Sequence, residues 1–384
     1  MKSANRALIL GELMRSDGLS RVELSARTGL SKGGLTTIIR ELIELGLINE
    51  VGCGKNANGR KPIMLRINPE CVFVVVVEWT RWLYRVSLSC YTGRALDEVE
   101  RYLRADDGAE DILCRVAADI EGILTRAGNR KVIGISVVAP GPIDYNRGII
   151  LAPANFNRWH DIPVKERLEA FFHLPVFLNN DAGARTIGEK NFGLGRGLSD
   201  FICLVVGEGI GAGACIRGEI YWGGCSIDLE FGHTSIDFGG VPCECGNHGC
   251  LEKYASVPAM QERYPGQAVS YEDILCGLDA GDPLCLKAVE QEAYYLSAGI
   301  ANLINTFRPQ AVILTGEIAR CGQHLKDMLD RNISARLRLE EIYIPKLLIS
   351  TTENGSNSGG AANVFCAFIE GRLGRLEDIL EGRP

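Results

Sequence analysis

Cys243-Glu244-Cys245-Gly246-Asn247-His248-Gly249-Cys250-Leu251-Glu252 places three thiols within eight residues of a 384-residue chain. Gly246 and Gly249 permit tight turns that let the sulfurs converge. Three thiolates and one imidazole make a closed tetrahedral zinc site, which is structural rather than catalytic. The fourth ligand is either His248, inside the loop, or His233 upstream in Glu230-Phe231-Gly232-His233; spacing leaves both open. Most of the fourteen cysteines stand singly in apolar stretches, as Cys71, Cys203 and Cys366 do. Buried free thiols are expected there. One cluster among many single thiols indicates a reducing compartment and one metal site, not a disulfide framework.

Outward from this loop the chain alternates strands and helices. Cys71–Val77 and Arg85–Ser89 read as paired strands, and Val132–Val138, Val176–Leu178, Phe201–Val206, Val312–Leu314 and Leu347–Ile349 as further strands. Asp111–Ala127, Leu284–Phe307 and Gly359–Glu370 read as helices. Such alternation means an α/β body. The sequence shows no strong internal repeat. Ala139-Pro140-Gly141-Pro142, Asn179-Asn180-Asp181 and the glycine-rich run from Gly207 to Gly213 each follow a strand. Those are the carboxyl ends at which open α/β sheets bind ligands. Asn180 also suits the N-cap of a helix over Ala182–Glu189.

The first 67 residues are different in charge and pattern. They hold 11 Lys/Arg against 6 Asp/Glu, while the remainder holds 30 against 42, within a net charge of -7. A small basic segment on an acidic body points to a polyanion met by the segment alone. Ala4–Arg15 has helical apolar spacing and ends at Asp17-Gly18; Ser20 with Glu23 forms a capping box for a second helix; Ser31 caps a third running to Leu45. Helix, short glycine turn, helix is a helix-turn-helix, whose second helix enters the major groove. Ser31, Lys32, Thr36, Thr37 and Arg40 would face the bases. Leu47–Val51 and Ile63–Ile67 read as a hairpin whose basic tip, with Lys55, Arg60 and Lys61, would contact phosphates or enter the minor groove. Gly33-Gly34 in the first turn of the recognition helix leaves few side chains there to read bases.

Length suggests two or three folded units. Hydrophobic residues at 46% and charged residues at 23% exclude a disordered chain. The longest apolar run, Cys71–Val77, is far short of the roughly 20 residues of a membrane span. The opening residues carry no secretory apolar core, so a cytoplasmic protein is expected.

The order of these motifs resembles the ROK family of repressors and sugar kinases. The resemblance rests on Pro140-Gly141-Pro142, Asn180-Asp181-Ala182 with Glu189, Gly209-Ile210-Gly211-Ala212-Gly213, Glu230-Phe231-Gly232-His233 and Cys243–Glu252. Gly59-Arg60-Lys61-Pro62 after a winged helix is similar to the repressor branch, and Glu252-Lys253-Tyr254-Ala255-Ser256 is most like the xylose repressors. The resemblance implies an N-terminal winged helix-turn-helix (1–67) on a two-lobed actin-like, ribonuclease-H-like body. The lobes would span 68–180 and 181–365, with a C-terminal helix in 366–384 packed on the first. It implies that His233 completes the zinc site with Cys243, Cys245 and Cys250. It also implies a sugar site of Asn180, Asp181, Glu230, His233 and Glu252, with Gly141 near it.

Kinases of the family cradle ATP phosphates on a glycine-rich turn after the first strand. The corresponding Glu78-Trp79-Thr80-Arg81-Trp82 has no glycine and two tryptophans, and indoles obstruct the close backbone approach that phosphate cradles need. Glu208 and Leu314-Thr315-Gly316-Glu317 weaken the other nucleotide contacts. Asp181 would be the general base of a kinase, but phosphoryl transfer depends on positioning and charge neutralisation. The expectation is therefore no enzyme. It is a repressor of a carbohydrate-utilisation operon, binding double-stranded operator DNA as a homodimer or dimer of dimers, with a sugar such as xylose as effector. An ATP-dependent sugar kinase with a DNA-binding arm and a repressor gated by a protein partner are the other readings.

Overall fold

Ser20 and Ser31 open the two helices that the sequence marks at them. In the computed structural model, which describes residues 2–53, 62–104, 107–153, 159–224, 229–266, 269–337, 343, 345–352 and 354–381, the arm comprises α1 (Lys2–Met14), β1 (Leu19–Ser20), α2 (Arg21–Thr28), α3 (Lys32–Glu44), β2 (Ile48–Cys53) and β3 (Ile63–Ile67). Ser20 Oγ accepts from the Glu23 amide at 3.3 Å, and the Glu23 carboxylate accepts from the Ser20 amide at 2.8 Å. Ser31 Oγ accepts from the Gly34 amide at 3.3 Å. β3 pairs antiparallel with β2 on one side and β1 on the other. The expected hairpin is thus present; its tip, with Lys55, Arg60 and Lys61, lies outside the described residues.

The body begins with β4 (Phe73–Trp79), β5 (Leu83–Cys90), β6 (Ala95–Tyr102), α4 (Ala109–Ala127), β7 (Val132–Val138), a small hairpin of β8 (Ile143–Asp144) and β9 (Ile149–Ile150), α5 (Val164–Phe172) and β10 (Val176–Asn179). Their sheet runs β10-β7-β4-β5-β6. β10, β7 and β4 are parallel, and β5 and β6 antiparallel. Val72–Val77 are buried on both faces, between α4 on one side and the C-terminal helix on the other, which is why that run reads as continuously apolar.

Next come α6 (Asp181–Asn191), β11 (Phe201–Val206), β12 (Ile210–Ile216), β13 (Glu219–Tyr221), α7 (Glu252–Ala255), α8 (Val257–Arg263), α9 (Tyr271–Asp279), α10 (Pro283–Phe307), β14 (Ala311–Thr315), α11 (Gly322–Arg336) and β15 (Lys346–Ile349). The second sheet runs β13-β12-β11-β14-β15. It repeats the first: an antiparallel three-strand meander, then two strands added parallel to the first strand. The sequence shows no such repeat; the topology does.

α12 (Gly355–Ile369) and α13 (Leu376–Glu381) close the chain. α12 packs on α6 and on β4 and β7 of the first sheet. A Cβ on Gly359 would meet the Ala184 carbonyl oxygen at 1.6 Å, so the two helices cross with their backbones in contact. α12 spans the boundary expected at 365/366. Phe365, Phe368, Ile369 and Leu376 continue into one apolar cluster with Ile9, Leu10, Leu13 and Met14 of α1. The arm and the body share a core.

Candidate functional site

Gly246 and Gly249 adopt positive φ angles of 90° and 66°. At Gly249 a Cβ would meet the Asp237 carbonyl oxygen at 1.6 Å, so no other residue fits that turn. The turns bring Cys243, Cys245 and Cys250 sulfurs and a His233 ring nitrogen within 4.8 Å of one another. Cys243 Sγ lies 3.5 Å from His233 Nδ1, and Cys245 Sγ 3.7 Å from Cys250 Sγ. A tetrahedron with bonds of about 2.3 Å has edges of about 3.8 Å, so the spacing fits a metal of zinc size. Between the two histidines left open by spacing, the structure brings His233 to the sulfurs. His248 is exposed and outside the cluster. Burial and the two neighbouring thiols push Cys250 up to about 12, and a cation among the sulfurs reverses that preference.

His233 Nε2 faces the other way, 3.8 Å from Glu230 Oε2. That side is a cleft of about 380 Å³ between the sheets, lined by Gly141, Asn180, Asp181, Glu230, His233 and Glu252. All six residues expected at a sugar site thus line one cavity, of ordinary small-molecule size. Asn180 is also the cap of α6, its Oδ1 accepting from the Gly183 amide at 2.6 Å. Glu252 Oε2 accepts from the Ile210 amide at 2.8 Å, which ties the cysteine loop to the glycine loop after β11. Glu189 points away from the cleft; its carboxylate accepts from the Leu194 amide at 2.7 Å and from the Ser350 hydroxyl.

Trp79, Thr80, Arg81, Trp82, Glu208 and Glu317 also line this cavity. Trp79 is buried edge-on against Trp159, ring centres 4.6 Å apart. Partial burial in the cleft wall, and Glu208 beside it, push the Glu317 carboxyl up. Arg185 also lines the cleft, and its buried Nε has no hydrogen-bond partner. Sequence reasoning passed over it. The signal was its place four residues after Asp181, one turn along the same face of α6.

On the arm, Ser31, Lys32, Thr36, Thr37 and Arg40 are all exposed on α3, opposite buried Leu35, Ile38, Ile39 and Leu42. The Thr36 and Thr37 hydroxyls donate to the Lys32 and Gly33 carbonyls at 2.8 and 3.2 Å, leaving methyls and lone pairs outward. Neither Lys32 nor Arg40 pairs with a carboxylate among the described residues. A Cβ on Gly33 would meet nothing within 4 Å, so the backbone there is open to close approach.

The chain thus joins a winged helix-turn-helix to a duplicated α/β body, with a carboxylate-lined cleft beside a cluster of one histidine and three cysteines that could hold a metal. The chain belongs to the ROK family, whose sequence model matches residues 94–367; residues 3–55 match the MarR family. It is 32% identical over 343 residues to the xylose repressor of Bacillus spizizenii, across 88% of each chain. It is 33% identical over 305 residues to the glucokinase of Thermotoga maritima, across 75% of this chain and 95% of the glucokinase. The crystal structure of a ROK family transcriptional regulator, a homologue of the Escherichia coli MLC protein, superposes with a TM-score of 0.81 at 26% identity, across 99% of both chains. No helix among the described residues is long and apolar enough to cross a membrane.

Proposed function

We propose that the chain is a sugar-responsive transcriptional repressor of a carbohydrate-utilisation operon. The observation that carries this reading is a continuous packed route. Asn180 and Asp181 sit in the cleft at the start of α6, α6 crosses α12 in backbone contact, and α12 shares its core with the arm. A ligand in the cleft and a duplex on α3 therefore act on one framework. Asp181, Glu230 and Glu252 accept hydrogen bonds from ring hydroxyls, Asn180 adds an amide, and His233 Nε2 faces the same space. A site built to bond hydroxyls rejects analogues that lack them. Likeness to a xylose repressor makes xylose the first candidate effector.

His233 Nδ1 and the Cys243, Cys245 and Cys250 sulfurs would hold a structural Zn2+, which supplies charge to keep three thiolates together and fixes the imidazole at the cleft wall. Ser31, Lys32, Thr36, Thr37 and Arg40 would meet the major groove. Lys55, Arg60 and Lys61 would meet phosphates or the minor groove. A homodimer in the cytoplasm would span two half-sites of a palindromic operator. The non-enzymatic reading is supported by Glu208 and Glu317 in the cleft wall, since carboxylates repel a triphosphate.

The test is calorimetric titration of the zinc-loaded protein with xylose, other free sugars and ATP, followed by operator binding with and without the sugar that binds. A sugar that binds and shifts operator affinity, with no ATP binding, is the expected result. Complete release requires roughly 10⁴-fold preference for one state. ATP binding with sugar-dependent ADP formation would make the chain a kinase and overturn the repressor reading.

A further inference from the structure

The cleft, at about 380 Å³, has more room than one sugar ring fills. Trp82 occupies the turn between β4 and β5, lines the cavity and remains 50% exposed. Its backbone is held in place: the Thr80 hydroxyl accepts from the Trp82 and Leu83 amides at 3.3 and 3.2 Å, and the Trp82 carbonyl accepts from the Leu103 amide at 2.7 Å. The Arg81 guanidinium lies over one indole face at 4.7 Å. An indole held at the wall of a polar cleft offers a π surface to the C–H faces of a sugar ring.

The polar groups around it, Glu208 and Glu317 with Arg81 and Arg185, balance in charge and mix donors with acceptors, as a neutral polyol requires. Arg185 and Arg81 line the same cavity, and the buried Arg185 Nε has no hydrogen-bond partner among the described residues, so it is free to donate to a ligand. The Glu252 and Glu317 carboxylates adjoin across the loop Gly207-Glu208-Gly209. A Cβ on Gly209 would meet Glu252 Oε2 at 2.7 Å, and one on Gly207 would meet Glu317 Oε1 at 3.4 Å. A ligand that leaves the Glu252 end therefore meets Glu208 and Glu317 next.

We propose that the cleft takes a disaccharide, with one ring among Asp181, Glu230 and Glu252 and the second on Trp82, its hydroxyls held by Glu208 and Glu317. This rests on the sugar-binding reading above and extends it to a second subsite. The turn between β4 and β5 would then be the shelf for the second ring.

Full-length zinc-loaded protein is titrated calorimetrically with xylose, β-1,4-xylobiose, glucose, cellobiose and ATP. At least one disaccharide is expected to bind tenfold or more tightly than its monosaccharide. Trp82→Ala should collapse that ratio towards one. Glu317→Gln, a milder change that keeps the shape of the side chain, should reduce it. Equal affinities within both sugar pairs, or an unchanged ratio in both variants, would overturn the second subsite while leaving the sugar reading intact. Failure of every sugar to bind would overturn both. ATP binding that disaccharides do not displace and Trp82→Ala abolishes would reassign the shelf to a nucleotide base.

Discussion

Cys250 is fully buried, and its sulfur stands 3.7 Å from that of Cys245. Cys250→Ser should reduce bound zinc from about one per chain to near zero after dialysis, because a hydroxyl is a poor fourth ligand in a thiolate site. His233 then loses its anchor, and sugar affinity should fall by about 10–100-fold, the range seen when a metal ligand's support is removed. Metal analysis and calorimetry check both; full zinc occupancy in the variant would disprove the ligand set. At this scale the sequence was legible wherever residues are close along the chain. The three cysteines and both capping serines were readable because loops and caps are local. The choice between His233 and His248 was not, since it depends on a chain reversal between residues 233 and 243. Arg185 went unread because an arginine on a polar helix face is ordinarily a solvated residue.

Between elements, α8 and α10 are joined by a buried arginine–glutamate contact. Arg263 Nη2 reaches Glu292 Oε2 at 2.8 Å, while Glu292 Oε1 and Arg263 Nε are buried without partners. Burial pushes the Glu292 carboxyl up to about 8 despite Arg263. The unfolded chain releases this proton near pH 4.5 and the folded chain holds it to about pH 8. The stability from this group is thus full below pH 4.5 and is lost as pH rises towards 8. Glu292→Gln removes the loss: chemical denaturation should find the variant equal to wild type near pH 4.5 and more stable, by up to a few kcal/mol, at pH 8. Parallel pH profiles would refute the account. Long buried elements were legible from sequence, as β7 and β11 show by matching their expected bounds. β6, Ala95–Tyr102, was missed. It is an edge strand with Asp97, Glu98, Glu100 and Arg101 along it, and the charges that deter further pairing also erase its apolar alternation. α11 was missed too, since its buried stripe is only Leu325, Leu329 and Ile333.

For the whole molecule the decisive contacts are those between arm and body. Arg6 on α1 is buried; its guanidinium donates to Glu41 on α3 at 3.1 Å and to Glu377 on α13. One side chain holds the recognition helix to the last helix of the body. Arg6→Ala should cost about 1.5–3 kcal/mol of stability, the range for hydrogen bonds to charged groups. It should also weaken the effect of sugar on operator affinity more than operator affinity itself. Thermal melts and operator titrations with and without sugar measure the two; an unchanged sugar effect would place the coupling elsewhere. The duplicated sheet order was invisible in the sequence because topology is conserved by strand direction and packing, which many apolar sequences satisfy.

The shared apolar core has a consequence for descent and for engineering. Phe365, Phe368 and Ile369 complete the packing of α1, so the arm is not a module that can be cut away and attached to a different sensor. Grafting it onto another member of the family, to redirect a sugar response to a new set of genes, would expose half of a core on each side of the join. A successful chimaera would have to carry the matching face of α12 and α13 with the arm, and natural relatives that exchanged operators by recombination would have met the same requirement.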